Sequence, residues 1–216
     1  MSADDPHAGA EVLTAGADLA DAHGAVVALH GRGAVAAGML DLLAEADPTD
    51  GRLAHLAPQA AGRTWYPRPF LAPTAANEPH LASALATVDR VVERTTAAVG
   101  RDRTVLVGFS QGACLASEYV ARNTARYGGL VALSGGLIGE TVDHDRYGDD
   151  LEGTPAYLGC SDVDPHIPVE RVRETADALE RLGAEVAMQL FPDMGHQVNH
   201  EELAAMRDRL RAVAEA

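Results

Sequence analysis

The apolar residues of the chain follow two rhythms that take turns. Short continuous runs appear at Val12–Leu13, Ala25–Leu29, Leu53–Ala57, Thr104–Val107, Leu130–Leu133, Tyr157–Gly159 and Val186–Phe191. Apolar runs this short, without polar alternation, fit strands buried on both faces, and Val12–Leu13 fits a short edge strand. Between them the spacing is helical: Ala34–Ala46, then Leu81, Leu85, Val88, Val92 and Val99, then a small-residue stretch after Ser110. Val169, Val172, Ala176, Leu179 and Leu182 make a further helical stripe, and Leu203, Met206, Leu210 and Val213 the last. Asp47-Pro48, Gly100 and Gly183 mark helix ends. Asn77-Glu78-Pro79 predicts a capped start for the second long helix, and Asn199 with Glu202 predicts a capping box for the final one.

Strands alternating with helices predict an α/β fold with a mostly parallel central sheet and helices on both faces. Residues 1–10 read as a flexible lead-in, and 11–216 as a single domain, since 216 residues suit one core. A proline-rich connection from Pro58 to Pro73 and a polar, acidic loop from Leu137 to Gly153 are the long irregular segments. Functional loops are expected at the carboxyl ends of the strands.

Charge narrows the partners. The chain has 32 acidic residues against 17 basic ones, a net charge of -15, and every basic residue is arginine. That balance argues against nucleic acid or an anionic membrane as a partner. GC-rich codon usage accounts for missing lysine but not by itself for so large an acidic excess, which points to a halophilic host. No apolar run approaches the roughly 20 residues of a membrane span, and Met1-Ser-Ala-Asp-Asp lacks the order of a secretory signal. Cys114 and Cys160 are too few for a disulfide framework, and Cys114 reads as a buried free thiol, so a cytoplasmic location is expected.

Candidate chemistry centres on Gly108-Phe109-Ser110-Gln111-Gly112, where an apolar run meets a small-residue helix. This is a nucleophile-elbow pattern, with a serine at the tip of a tight strand–helix turn and glycines where side chains would collide. Serine needs an imidazole to take its proton and a carboxylate to orient that imidazole. His196 follows the last strand run, and Asp164 follows the run before it, which gives the chain order Ser110, Asp164, His196. Asp162 is an alternative acid on the same loop, with Asp193 a third choice. His30-Gly31-Arg32-Gly33 supplies a loop for an oxyanion hole, whose donors would be the amides of Arg32 and Gln111.

Each motif alone has a plain structural reading, such as a helix cap or a tight turn. Together, in the required order and each after a strand, they point to a serine hydrolase. Trp65, Tyr66 and Phe70, in the stretch Thr64 to Leu71, are candidates for a substrate wall, or else for anchors of the proline-rich loop, and His166 is a candidate lining residue. Arg32 and Arg68 are candidates for holding a substrate carboxylate, or else solvated charges. The acidic residues from Asp143 to Asp150 lack a recognised metal spacing. His7, His23, His55, His80 and His200 carry no assignment.

Gly108-Phe-Ser-Gln-Gly-Ala113, His30-Gly-Arg-Gly33, Asp164-Pro-His-Ile-Pro168 and Gly195-His196 resemble the phospholipase/carboxylesterase family of small α/β-hydrolases over residues 25 to 214. The resemblance implies a Ser110/Asp164/His196 esterase with no large lid domain, metal or organic cofactor. Its substrate would be a small-molecule ester of small to medium acyl groups, and a homodimer is compatible with the fold. A thioesterase, lysophospholipase or dienelactone-type hydrolase would use the same three residues. A non-catalytic ligand-binding protein is the rival of another class. The thioesterase members differ at the position of Arg32, which argues against protein depalmitoylation.

Overall fold

A computed structural model describes residues 5–216. Seven strands form one sheet: β1 (Val12–Gly16), β2 (Gly24–Leu29), β3 (Leu53–Pro58), β4 (Thr104–Phe109), β5 (Gly129–Leu133), β6 (Pro155–Ser161) and β7 (Glu185–Phe191). Their order is β1-β3-β2-β4-β5-β6-β7, with β1 antiparallel to β3 and every other pair parallel. Five α-helices complete the chain: α1 (Ala36–Ala46), α2 (His80–Val99), α3 (Gln111–Arg122), α4 (Val169–Arg181) and α5 (His200–Ala214). This is the mostly parallel α/β architecture that the alternating rhythm predicts, of the α/β-hydrolase type that the resemblance implies, and no inserted lid domain stands over the sheet among the described residues.

Covering both faces explains why the central strands carry no polar alternation. Ala25, Val27, Leu29, Leu106, Leu130 and Ala132 pack with α2, α3 and α4 on one face. Val26, Ala28, Val105, Val107, Val131 and Leu133 pack with α1 and α5 on the other. The strand order reverses between β2 and β4, since the chain runs outwards to β3 before returning to β4. Loops leaving two neighbouring parallel strands diverge at such a switch point and open a crevice there. The two loops concerned are His30–Gly33 and the turn at Ser110.

Three local expectations need correction. Residues 1–4 lie outside the described residues, but residues 5–10 are not a loose lead-in. His7 is buried, its backbone N–H donates to Ser83 Oγ at 2.8 Å, and its ring bridges the Trp65 carbonyl at 2.8 Å and the Ala61 N–H at 3.0 Å. Asn77 does not cap α2. It is buried in a short turn before the helix, where its side chain accepts from Arg68 N–H at 2.8 Å, and α2 starts at His80. The segment from Leu137 to Gly153 is polar only in its middle, since Leu137, Ile138 and Leu151 are buried. Arg171 anchors its start, donating from one nitrogen to the carbonyls of Leu137 and Gly139 and from another to that of Glu140.

The capping box on α5 is present, with Glu202 N–H donating to Asn199 Oδ1 at 2.8 Å and Asn199 N–H donating to Glu202 Oε2 at 2.9 Å. The second oxygen, Oε1, is buried without a partner among the described residues. Burial raises this carboxyl to about 7, against the opposing hydrogen bond from Asn199. A raised carboxyl binds its proton more tightly folded than unfolded, so stability is full below the ordinary carboxylate range and is lost as pH rises through about 7. The loss amounts to about 3 kcal/mol. Glu202→Gln keeps an acceptor for the cap and removes the charge. Its melting temperature should match the parent near pH 4 and exceed it by about 6 °C above pH 8. A difference that does not change with pH would contradict this.

Candidate active site

β4 ends at Phe109 and α3 begins at Gln111, so Ser110 alone makes the turn. Its backbone sits at φ 56 and ψ -120, a strained conformation for a residue with a side chain. The flanking glycines are needed for close approach. A Cβ on Gly108 would overlap the Gly112 carbonyl, and one on Gly112 would overlap the carbonyl of Leu29. A Cβ on Gly31 would lie 3.3 Å from Ser110 Cβ. The small residues thus let the loop after β2 pack directly on the turn after β4.

Ser110, His196 and Asp164 meet in a line. Ser110 Oγ lies 2.9 Å from His196 Nε2, and His196 Nδ1 lies 2.7 Å from Asp164 Oδ2. With Nδ1–H donating to the carboxylate, Nε2 is free to accept the serine proton. The Asp164 side chain is fully buried, whereas that of His196 is 20% exposed, so the imidazole keeps access to the cleft. Asp164 Oδ1 accepts the N–H groups of His166 at 2.8 Å and Ile167 at 3.1 Å, which fixes the carboxylate plane. The Cys160 thiol lies 3.9 Å from Oδ2. Burial and the neighbouring Asp164 charge push that thiol up to about 12, so it stays protonated.

Asp162, the alternative acid, points elsewhere: its Oδ1 accepts Asp193 N–H at 2.9 Å and ties the loops that carry Asp164 and His196 together. Ser161 Oγ adds a second tie, accepting Gly195 N–H at 3.0 Å. Asp193 contributes its backbone to this stitch, at φ 52.

The loop after β2 is held from several sides. His30 is buried, and burial lowers its basicity and keeps the ring neutral. Its Nε2 accepts Ala60 N–H at 3.1 Å while Nδ1–H faces the Gly31 carbonyl at 2.8 Å. The Arg32 side chain is a clamp and does not reach for a substrate carboxylate. Its guanidinium donates to the carbonyls of Tyr66 at 2.9 Å, Pro67 at 3.1 Å and Arg68 at 2.9 Å. The Gln111 side chain fastens the same segment, accepting Trp65 N–H at 3.0 Å and donating to the Tyr66 carbonyl at 2.8 Å. Both backbone amides assigned to the oxyanion hole, those of Arg32 and Gln111, therefore sit on residues whose side chains are already engaged by one loop. Gln111 also opens α3, whose first amides have no partner within the helix.

A cleft of about 480 Å³ opens beside Ser110. Tyr66 and His166 line it, as the sequence suggests, together with Arg32, Gln111 and His196. Trp65 does not. Its ring is fully buried, stacks 5.1 Å from His30 and donates from Nε1 to the His30 carbonyl at 2.9 Å, so it anchors the loop. His166 meets the His196 ring edge-on at 4.9 Å, and Phe109 packs against the same ring at 5.0 Å. Pro67, Pro69 and Phe70 of the same stretch also line the cleft, as do Cys114 and Ile167, which the sequence did not mark as lining residues. Cys114 was legible as a position one helical turn after Ser110, and Ile167 as part of the Asp164–Pro168 motif. The guanidinium carbon of Arg171 lies 6.0 Å over the Phe70 ring.

Residues 12–214 match the sequence model of the phospholipase/carboxylesterase family. The solved structure of a phospholipase/carboxylesterase from Dyadobacter fermentans is similar at a TM-score of 0.89 and 38% identity, over 94% of this chain and 96% of that one. An acyl-protein thioesterase 1 from Gibberella zeae is 34% identical over 112 residues, which is 51% of this chain and 48% of the relative. Esterase YpfH of Escherichia coli is 26% identical over 115 residues, covering 52% and 46% respectively. The chain thus spans about half the length of the curated relatives it matches.

Proposed function

Because the chain belongs to the phospholipase/carboxylesterase family, we propose that it is a serine carboxylesterase acting on esters of small to medium acyl groups. The observation that carries this reading is the line of hydrogen bonds from Ser110 Oγ through His196 to Asp164, at 2.9 and 2.7 Å. Ser110 Oγ attacks the ester carbonyl as His196 Nε2 takes its proton, and Asp164 stabilises the imidazolium that forms. The oxygen of the tetrahedral intermediate lies between the amides of Arg32 and Gln111, each worth roughly 3 kcal/mol in the transition state. His196 then passes its proton to the leaving alkoxide. Water, deprotonated by the same nitrogen, releases the acid from the acyl-enzyme. The strained φ of Ser110 and the packed glycines pre-set this geometry before substrate arrives.

A thioester would serve the same three residues, and the thioesterase relatives keep that reading open to test. We place the protein in a reducing compartment, the cytoplasm, on its two buried free thiols. No helix among the described residues is long and apolar enough to cross a membrane. The net charge of -15 supports a salt-adapted host, because dissolved ions screen carboxylates that would otherwise repel one another.

One assay addresses activity and salt together. p-Nitrophenyl esters of rising chain length, with a matched thioester, are turned over in molar and in low salt. Turnover that peaks at short or medium acyl chains and falls as salt is withdrawn is expected. Full stability and activity without salt would overturn the halophilic reading. No turnover of any ester in any salt would favour a non-catalytic binder.

A further inference from the structure

One side chain holds the loop that carries the Arg32 amide in a single form. His30 Nδ1 lies 2.8 Å from the carbonyl of the next residue, Gly31. A carbonyl only accepts, so Nδ1 carries the ring proton. The other ring nitrogen agrees. Nε2 receives Ala60 N–H at 3.1 Å and a side-chain N–H of Gln59 at 3.0 Å. Gln59 cannot turn its oxygen to the ring instead, because that oxygen accepts Ala36 N–H at 2.9 Å. Two donors meeting on one nitrogen leave no room for a proton there. The neighbours therefore dictate the Nδ1–H tautomer.

The bond to Gly31 reaches further than Gly31. Its carbonyl and the Arg32 N–H share one peptide plane, and in a trans peptide the two point in opposite directions. The cis bond among the described residues is elsewhere, at Glu78–Pro79. Holding the carbonyl on the ring side thus turns the Arg32 N–H to the far side, where it has no partner among the described residues. The preceding peptide is fixed too, by Trp65 Nε1–H on the His30 carbonyl at 2.9 Å. Position 31 needs glycine, since a Cβ there would stand 3.3 Å from Ser110 Cβ. Glycine also lets a peptide plane turn at little steric cost. Something must hold this plane, and the imidazole is bonded to it.

We infer that His30 is a positioning residue of the oxyanion hole: its Nδ1–H holds the Gly31 carbonyl and so keeps the Arg32 N–H aimed for the substrate oxyanion. The inference rests on the esterase reading and adds a residue that meets no substrate. His30 is fully buried and is not among the residues lining the cleft, so it acts only through the peptide it holds.

Two substitutions divide the work of the ring. The side-chain nitrogen of asparagine stands where Nδ1 does, so His30→Asn keeps a donor for Gly31 and loses the acceptor for Ala60 and Gln59. The side-chain oxygen of glutamine reaches where Nε2 does, so His30→Gln keeps that acceptor and loses the donor. On p-nitrophenyl butyrate, His30→Gln should lower kcat by about 10²-fold with KM nearly unchanged, as loss of an oxyanion donor does. His30→Asn should restore most of the rate. Melting temperatures should rank the two the other way, because His30→Asn strands two buried donors. A merely structural ring would give both measurements the same ranking, and kcat falling as far in His30→Asn as in His30→Gln would overturn the inference. In the parent, two-bond proton–nitrogen NMR correlations should show His30 with its proton on Nδ1. A proton on Nε2 would overturn the inference whether or not the variants fold. Failure of the esterase reading looks different: the parent itself turns over no ester and Ser110 takes no fluorophosphonate label.

Discussion

Ser110→Ala is expected to lower kcat on a p-nitrophenyl ester by roughly 10⁶-fold, a loss typical when one member of such a unit is removed. His196→Ala should lose about as much, because the two act on one proton 2.9 Å apart. The double variant should be no worse than either single one, since removing the nucleophile leaves the base nothing to deprotonate. Circular dichroism should show all three folded: neither side chain belongs to the buried core, and the Ser110 hydroxyl makes no capping hydrogen bond to α3 that alanine would lose. Initial-rate kinetics on purified variants check this, with contaminating esterase excluded by the Ser110→Ala preparation itself. Losses that multiply in the double variant would mean that the two side chains act independently.

The second large effect separates the two aspartates. Asp164→Asn should cost about 10⁴-fold in kcat, because an amide nitrogen facing His196 Nδ1 holds the imidazole in the wrong tautomer. The substitution should leave the loop intact, since the new side-chain amide still presents its oxygen to the N–H groups of His166 and Ile167. Asp162→Asn keeps the acceptor for Asp193 N–H and touches neither Ser110 nor His196, so its kcat should stay within about tenfold of the parent. Steady-state kinetics of the two variants side by side decide the matter. A larger loss at 162 than at 164 would reverse the assignment.

These two residues also illustrate what the sequence could and could not convey. The strand runs were legible because both faces of the sheet are covered, so that Ala25–Leu29 or Leu130–Leu133 had to be apolar throughout. Ser110, Asp164 and His196 were legible because each follows a strand end in a motif with fixed chemistry. The choice between Asp162 and Asp164 was not, since both lie on one loop and only the loop's hydrogen bonds aim one carboxylate at His196. Contacts between segments far apart in the chain left still less trace. Arg32 spends its guanidinium on carbonyls of residues 66–68, and His7 reaches Trp65 and Ala61. Backbone carbonyls are the same in every residue, so no pattern of side chains announces that they will be met. Trp65 was left between two roles for the same reason: a lone tryptophan in a loop reads as a wall or as an anchor until the His30 carbonyl is seen to hold its ring.

The most direct measurement is covalent labelling of the folded protein with a fluorophosphonate in molar salt, followed by mass spectrometry. One label per chain is expected, on the peptide that carries Ser110. It should be absent in Ser110→Ala and greatly slowed in His196→Ala. A label on another residue, or none on folded protein, would contradict Ser110 as an activated nucleophile.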